Sequence, residues 1–229
     1  MTKQNVRLNA ICNLICKRTI ADVGSDHGYV PKMLLSEQKI DQAYVTDISE
    51  KCVAKAKNNL KDFADKTTFV VCNGLLGLKD VSPLPQQVVI AGMGGMEICK
   101  ILMQDTLEQF HNFVLQPQKN TNELRVFLQE NCFEIEKDFI IRDGKMFYNI
   151  IVAHRTSKKS PLSSLQIEFG KTNLLTPSAD FLEYLNYKID KFKEILQKTA
   201  DSNVQKALND YLSCRKEIFG KLNVDQKAK

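Results

Sequence analysis

Short apolar, β-branched runs alternate with helical patterns through the first two-thirds of the chain. Five such runs lie at residues 19–23, 42–47, 67–72, 87–91 and 113–116. Helical spacing marks the intervening segments 30–37, 50–63, 96–103 and 122–130. Strands that alternate with helices predict an α/β fold with a parallel, doubly wound sheet. Two further runs, 133–142 and 147–153, meet at Asp143-Gly144 and predict an antiparallel hairpin on the edge of that sheet.

The last third of the chain has a different pattern. A polar connector runs from His154 to Pro161, and two helical patterns follow Pro177. Their apolar positions form two stripes, at Leu182, Leu185, Ile189, Phe192, Leu196 and Thr199 and at Val204, Leu208, Tyr211, Ile218 and Leu222. Stripes of this kind predict two helices that close as an antiparallel coiled-coil hairpin.

The excess of basic over acidic residues lies entirely in the same third of the chain. Residues 1–154 carry 18 Lys and Arg against 18 Asp and Glu, whereas residues 155–229 carry 14 against 9, which accounts for the whole net charge of +5. Such an appendage is typical of a surface that neutralises a nucleic-acid backbone, although a solvated, lysine-rich hairpin has the same composition. We therefore predict two domains: a neutral α/β domain, residues 1–154, and a basic helical domain, residues 155–229.

Composition excludes several classes of protein. With 43% hydrophobic and 26% charged residues, the chain resembles neither a disordered nor a fibrous protein. Its apolar runs are too short to span a bilayer, and charges interrupt the first twenty residues, so we expect a cytoplasmic protein. Seven cysteines without a Cys-x-x-Cys pair and three distant histidines predict no metal site.

The most informative segment is the glycine loop that follows the first strand. It reads Asp22-Val-Gly24-Ser25-Asp26-His27-Gly28-Tyr29 and leads from a strand into a helix, as in nucleotide-type cofactor sites. The dinucleotide pattern Gly-x-Gly-x-x-Gly is absent because Asp26 replaces its middle glycine, which disfavours a pyrophosphate. Two carboxylates instead suit a cationic cofactor such as S-adenosylmethionine, whereas a plain loop is the alternative.

Small or polar residues also follow the next strands. Asp47 ends the second strand, where a carboxylate can accept both ribose hydroxyls. Asn73-Gly74 follows the third strand and offers an amide to an adenine edge. The run Ala91-Gly92-Met93-Gly94 follows the fourth strand, where it permits a substrate to approach the backbone closely. Four neighbouring strand ends with this character predict one binding site.

Together these motifs resemble the bacterial TrmK family of tRNA (adenine(22)-N1)-methyltransferases. The resemblance rests on residues 22–31, 73–75, 90–95, 115–117 and 143–145 and extends over the whole chain. It implies a class I Rossmann-like domain that methylates N1 of an adenine in the tRNA D arm with S-adenosylmethionine. Two residues depart from the family pattern: Asn73 replaces an acid, and Gln118 replaces an asparagine. The expected cofactor-binding residues are Asp22, Gly24, Ser25, Gly28, Asp47, Ile48, Asn73, Gly74, Ala91, Gly92 and Met93.

The reaction suggests roles for further residues. Methylation makes the adenine cationic unless the exocyclic amine loses a proton, so a carboxylate must stabilise positive charge or act as a general base. We assign Asp26 to this catalytic role; capping of the following helix is its structural alternative. The expected substrate-binding residues are Arg7, His27, Tyr29, Gly94, Gln116, Pro117, Lys191 and Lys198.

Other functions remain compatible with the sequence. A methyltransferase of the same fold can act on another acceptor, and a non-catalytic RNA-binding adaptor can retain a methyltransferase fold. An NAD-linked oxidoreductase is disfavoured because the glycine pattern is missing. We expect tRNA as the partner, no membrane or metal, and a monomer.

Overall fold

The computed structural model describes residues 5–105 and 108–227, with side chains as far as Ile218. The strands are β1 Thr19–Val23, β2 Gln42–Asp47, β3 Thr67–Val71, β4 Gln87–Met93, β5 Asn112–Pro117, β6 Phe133–Asp143 and β7 Met146–Arg155. The helices are α1 Val6–Cys12, α2 Tyr29–Ser36, α3 Glu50–Asn59, α4 Gly95–Leu102, α5 Thr121–Glu130, α6 Ser164–Phe169, α7 Lys171–Leu175, α8 Ala179–Leu196 and α9 Ser202–Lys227. Two 3-10 segments follow α3 and β3, at Lys61–Lys66 and Leu76–Leu78.

The strands form one seven-stranded sheet in the order β3-β2-β1-β4-β5-β7-β6. The first five strands of this order are parallel, whereas β7 runs antiparallel to both β5 and β6. The predicted α/β class, with an antiparallel hairpin on the sheet edge, is confirmed. Asp143 pairs with Met146 across the turn, so the hairpin reverses at the predicted place.

Helices cover both faces of the sheet. Successive side chains of a strand point to opposite faces, so Ala21 and Val23 of β1 pack towards α4 and α5, whereas Ile20 packs towards α1, α2 and α3. Because β1 is buried throughout, its sequence is apolar apart from Thr19 and Asp22. Each parallel strand therefore ends at the same edge of a buried layer, which is where a ligand site can form.

The helical hairpin has its own core. Phe181, Leu185 and Ile189 of α8 pack against Leu208 and Tyr211 of α9. The same cluster includes Ile140 of β6, so the hairpin is continuous with the edge of the sheet. The two predicted long helices are thus present and pack on each other.

The apolar stripe of α8 begins one residue earlier than expected. Phe181 is buried in the hairpin core, whereas Leu182 is only half-buried and Thr199 is exposed beyond the end of the helix. The buried positions 181, 185 and 189 follow a spacing of four because α8 packs on both α9 and β6. The expected position Leu222 lies beyond the described side chains.

Three short helices, the end of one longer helix and the end of one strand differ from the sequence prediction. The helices α1, α6 and α7 were not predicted; each has fewer than eight residues, too few for a clear helical period. The helix that begins at Glu50 ends at Asn59 and continues as a 3-10 segment rather than reaching Phe63. His154 and Arg155 belong to β7 because they pair with Asn112 and Phe133, so the polar connector begins later than expected.

Candidate functional site

A cavity of about 530 Å³ opens at the carboxyl ends of the parallel strands. It lies where β1 separates β2 from β4, the point at which the strand order reverses and where open α/β sheets bind ligands. Seven of the expected site residues line it: Gly24, Asp47, Ile48, Asn73, Gly74, Met93 and Gly94. The structure therefore brings residues from four strand ends to one cavity, as the spacing of the motifs predicts.

The first loop turns tightly at Gly24. Its φ of +74° is in the left-handed region, and a Cβ atom added there would collide with the Met93 methyl group. The N–H groups of Gly24 and Ser25 donate to the Thr46 carbonyl, at 2.8 and 3.1 Å, and hold the loop against the end of β2. Glycine thus lets the β1 and β4 loops approach each other at the floor of the cavity.

Five expected cofactor residues do not line the cavity. Ser25 and Gly28 shape the loop, since the Ser25 hydroxyl accepts a hydrogen bond of 3.0 Å from the Gly28 N–H at the start of α2. Ala91 and Gly92 lie within β4. Asp22 is buried at the end of β1 and is 6% exposed.

Burial changes the chemistry of Asp22. Desolvation raises the pKa of its carboxyl group to about 6, and the Ser25 hydroxyl opposes this rise only in part. Asp22 lies two residues after Ile20, which packs towards α1, α2 and α3, so the carboxyl group faces the same side of β1. The carboxyl group therefore lies on the opposite face of β1 from Val23, which lines the cavity.

Asp26 lies on the exposed outer part of the first loop. Its carboxylate contacts Lys55 Nζ at 2.9 Å and His27 Nε2 at 3.2 Å. Hydrogen bonds from Lys55 and Cys52 are the main causes that lower the pKa of Asp26 below its ordinary value. The His27 ring stacks on Tyr29, with 5.1 Å between ring centres. The loop thus presents an ionised carboxylate beside an exposed aromatic pair.

Two strand ends complete the cavity. The Asp47 carboxylate accepts a hydrogen bond of 2.8 Å from the Ser49 N–H, which fixes it at the end of β2 beside the start of α3. The next residue, Ile48, is 72% exposed although it is apolar. An anchored carboxylate next to an exposed apolar side chain can hold a ribose and the face of a flat ring.

Gln104 supports the Asn73 loop, a role that no sequence motif indicates. Its Oε1 accepts from the Leu75 N–H at 2.9 Å, and its Nε2 donates to Asn73 Oδ1 at 3.4 Å. A Cβ atom added at Gly74 would collide with Gln104 Oε1. Since Gln104 is 31 positions from Asn73 in the chain, only the folded structure brings them together.

A second corner forms on the other side of Gly92. The Arg7 guanidinium donates to Oε1 of the buried Gln116 at 2.7 Å, and Gln116 Nε2 donates to the Pro117 carbonyl at 3.0 Å. A Cβ atom at Gly92 would lie 4.0 Å from Arg7 Nη1 and 3.7 Å from Gln118 Nε2. Three expected substrate residues, Arg7, Gln116 and Pro117, are thus neighbours.

The two expected hairpin lysines lie apart from these groups. Lys191 is exposed on α8 and pairs with Glu194 at 2.8 Å, while Lys198 is exposed beyond the end of α8. Neither lines the cavity at the strand ends. Within residues 5–105 and 108–218, whose side chains the structure describes, no three His, Cys, Asp or Glu residues are grouped to hold a metal ion. Over the same residues, no helix has the length and apolarity required to cross a membrane.

The sequence profile of the TrmK family, described as tRNA (adenine(22)-N(1))-methyltransferase, matches residues 20–218. This chain belongs to the TrmK family. A Mycoplasma pneumoniae relative is 30% identical over 209 residues, which cover 89% of this chain and 97% of the relative. The match to the family therefore includes both the sheet and the helical hairpin.

Two solved structures of similar proteins contain a cofactor or its product. TrmK of M. capricolum, in complex with S-adenosyl-homocysteine, has a TM-score of 0.82 and 25% identity, covering 94% of this chain and 99% of its own. Sp1610 of Streptococcus pneumoniae, in complex with S-adenosyl-L-methionine, has a TM-score of 0.80 and 26% identity, covering 93% and 97%. The predicted Rossmann-like methyltransferase fold is confirmed for this member of the TrmK family.

Proposed function

We infer that this chain transfers a methyl group from S-adenosylmethionine to N1 of adenine 22 in tRNA. The observation that carries this function is the cavity of about 530 Å³ at the strand-order reversal, in a chain that the TrmK family profile matches over 20–218. The complexes of its relatives with S-adenosylmethionine and S-adenosyl-homocysteine support the same cofactor here. Because its substrate is tRNA, we propose that the protein is located in the cytoplasm, and we propose that it acts as a monomer.

The residues around the cavity fit S-adenosylmethionine, which when bound supplies an electrophilic methyl group. Asp47 is placed for the ribose hydroxyls, and the exposed Ile48 offers an apolar surface to the adenine ring. Asn73 is placed for the adenine edge because an amide retains hydrogen-bonding groups where the family pattern has an acid. Gly24 leaves room at the floor because a side chain there would meet Met93. Asp22, Ser25, Gly28, Ala91 and Gly92 support this site from behind.

The target adenine is best accommodated beside Gly92 and Met93. N1 lies on the Watson–Crick edge, so the base must leave its stack and enter a pocket. The Arg7–Gln116 pair and Pro117 form a polar corner with one flat wall beside the β4 loop. We assign Arg7, Gln116, Pro117 and Gly94 to holding the base, and the stacked His27 and Tyr29 to contacting the nearby RNA.

Asp26 is the proposed catalytic carboxylate. Its lowered pKa keeps it ionised and makes it a poor proton acceptor, so its contribution is to stabilise the positive charge that develops on the adenine. Lys55 and His27 hold it in place within the loop that carries Gly24. No covalent intermediate is needed, because correct placement of the nitrogen and the methyl group supplies much of the rate enhancement.

The two predicted domains have separate proposed tasks. Residues 1–154 hold the cofactor and the target base, and residues 155–229 dock tRNA through basic side chains that include Lys191 and Lys198. The excess of basic over acidic residues in the second segment supports this division.

The function is tested by methyl transfer from labelled S-adenosylmethionine to an unmodified tRNA transcript. Nucleoside mass spectrometry should detect 1-methyladenosine, and a transcript with adenine 22 replaced should give none. Methylation of a different nucleoside contradicts the assigned target. Cofactor binding without transfer to any RNA supports a non-catalytic adaptor instead.

The role of Asp26 is tested with Asp26→Asn and a matched control, Asp65→Asn, which removes an exposed carboxylate next to the amino end of β3. Asp26→Asn should lower kcat by at least about 100-fold, the typical effect of losing one electrostatic group at a reaction centre. Its affinity for S-adenosylmethionine should stay unchanged, and the control should keep full activity. A reduction of less than about tenfold removes Asp26 from the mechanism.

A further inference from the structure

A second cleft, of about 470 Å³, lies between the sheet and the helical hairpin. The β5–α5 loop forms one wall, the turn between β6 and β7 contributes Lys145, and α8 contributes Tyr187 and Lys188. Lys119 and Asn120 line both this cleft and the cavity at the strand ends. The two spaces therefore share the loop that follows β5.

Three lysines line the cleft without carboxylate partners. Lys119, Lys145 and Lys188 form no ion pair with any of the residues that the structure describes. Lys191, which lies only three residues beyond Lys188, is by contrast paired with Glu194 at 2.8 Å. The ammonium groups of these three lysines are thus available to an anionic ligand.

The other charged groups of the cleft are already engaged in hydrogen bonds. Arg125 is paired with the buried Asp138, at 2.7 Å from Nε to Oδ2. Glu168 accepts a hydrogen bond of 2.7 Å from the Tyr211 hydroxyl, and Glu123 accepts one from Asn120. Three unpaired lysines face two engaged carboxylates, so the cleft has an excess of positive charge.

Aromatic rings lie beside these lysines. Tyr187 is 47% exposed, and its ring lies 5.6 Å from the ring of Phe147 in a tilted arrangement. Lys188 Nζ lies 5.1 Å from the ring centre of Phe192 and 5.9 Å from that of Tyr211, so aromatic contacts orient this lysine. An exposed ring beside unpaired lysines is the combination with which proteins bind unstacked bases and their phosphates.

We propose that this cleft binds the tRNA segment that flanks the target adenine. Lys145 and Lys188 bind backbone phosphates, and Tyr187 stacks on a base next to the one that leaves its stack. The proposal rests on the proposed function, because a base held in the β4 corner leaves its neighbours near the Lys119–Asn120 loop. It differs from docking on the exposed lysines of the hairpin, since it places the specific contacts beside the reaction centre.

The test compares two double variants that each remove two unpaired lysines. Lys145→Ala/Lys188→Ala changes the cleft, whereas Lys57→Ala/Lys66→Ala changes exposed residues near the end of α3 and next to the amino end of β3, at the opposite edge of the sheet. Tyr187→Ala and Tyr187→Phe separate the ring from its hydroxyl. For each variant, tRNA affinity is measured over a salt series, S-adenosylmethionine affinity by calorimetry, and turnover by nucleoside mass spectrometry.

The cleft variant should bind tRNA at least about tenfold more weakly, because hydrogen bonds to charged groups are each worth roughly a factor of ten or more. Its salt dependence should flatten by about 1.5 in the slope of log affinity, as expected for two lost phosphate contacts. Tyr187→Ala should also weaken tRNA binding and Tyr187→Phe should not. Unchanged affinity for S-adenosylmethionine would show that all variants remain folded.

Equal losses of tRNA affinity in the two double variants would show that the effect depends on net charge alone, and this would overturn the proposal. Unchanged tRNA affinity in the cleft variant would overturn it as well. In both cases the unaltered enzyme still methylates adenine 22, so the proposed function stands. If the unaltered enzyme methylates no adenine 22, the proposed function fails first and the cleft loses its assignment with it.

Discussion

Replacement of Asp22 by Asn should stabilise the cofactor-free protein at neutral pH and remove part of its pH dependence. Burial raises the pKa of this carboxyl group from 3.8 to about 6, so the folded state binds a proton that the unfolded state has already released. Stability is therefore lost as the pH rises through about 6. The difference between the two pKa values corresponds to about 3 kcal/mol, since each pKa unit is worth about 1.4 kcal/mol.

The assay is urea denaturation of the protein and of Asp22→Asn between pH 4.5 and pH 7.5. The informative quantity is the change with pH in the stability difference between the two proteins, because any packing cost of the amide is the same at every pH. We expect this difference to shift by about 2 kcal/mol in favour of the variant between these two pH values, because about 1 kcal/mol of the full change already occurs below pH 4.5. Cys12, the nearby thiol, has a pKa raised to about 12 and stays neutral throughout.

A stability difference that is constant from pH 4.5 to pH 7.5 would refute this reasoning. It would mean that Asp22 has the same pKa in the folded and unfolded states, so that burial at the end of β1 does not disfavour its charge. A difference that changes in the opposite direction would mean that an unrecognised donor stabilises the carboxylate in the folded protein.

Two further predictions concern buried and supporting residues. Arg125→Met should lower the free energy of unfolding by about 3–5 kcal/mol because it leaves the buried Asp138 carboxylate without its partner. In thermal denaturation, Arg125→Met/Asp138→Leu should recover most of that loss. Additive losses in the double variant would contradict the pairing. Gln104→Ala should weaken S-adenosylmethionine binding by several-fold and should leave tRNA binding unchanged. The reason is that each lost hydrogen bond to the Asn73 loop is worth about 1 kcal/mol. Calorimetry that finds an unaltered affinity for the cofactor would contradict this role.

Local sequence patterns predicted the sheet and the cavity because both depend on short-range signals. A strand such as Thr19–Val23 is apolar since it is buried on both faces, and the small residues after it follow from the tight turn at Gly24. Neighbouring parallel strands have their carboxyl ends at the same edge of the sheet, so the residues that follow them lie close together. This is why Asp47 and Asn73, which lie far apart in the chain, reach one cavity.

Other features depend on contacts that no local pattern encodes. Gln104 and Lys119 contribute to the site through loops whose sequence resembles any polar connector. Asp22 lies one residue before the end of β1 and is buried, whereas Asp47 is the last residue of β2 and lines the cavity. The choice of Phe181 rather than Leu182 as a core residue follows from packing against β6. In each case the partner is distant in sequence, so the fold decides the outcome.

The buried Arg125 joins the sheet to the helix α6 that precedes the helical hairpin. It lies on α5, directly after the Lys119–Asn120 loop, and pairs with Asp138 of β6. It also donates to the carbonyls of Ile167 and Glu168 in α6, at 2.8 and 3.2 Å. A fully buried pair of this kind is a weak source of stability, and we expect its role here to be specificity, because other arrangements of α5 and β6 would leave its charges unpaired. Glu168 also accepts a hydrogen bond from the Tyr211 hydroxyl of α9, so the network extends to the helical hairpin. If the cleft binds tRNA as proposed, we expect this network to help hold the RNA in one register relative to the β4 corner.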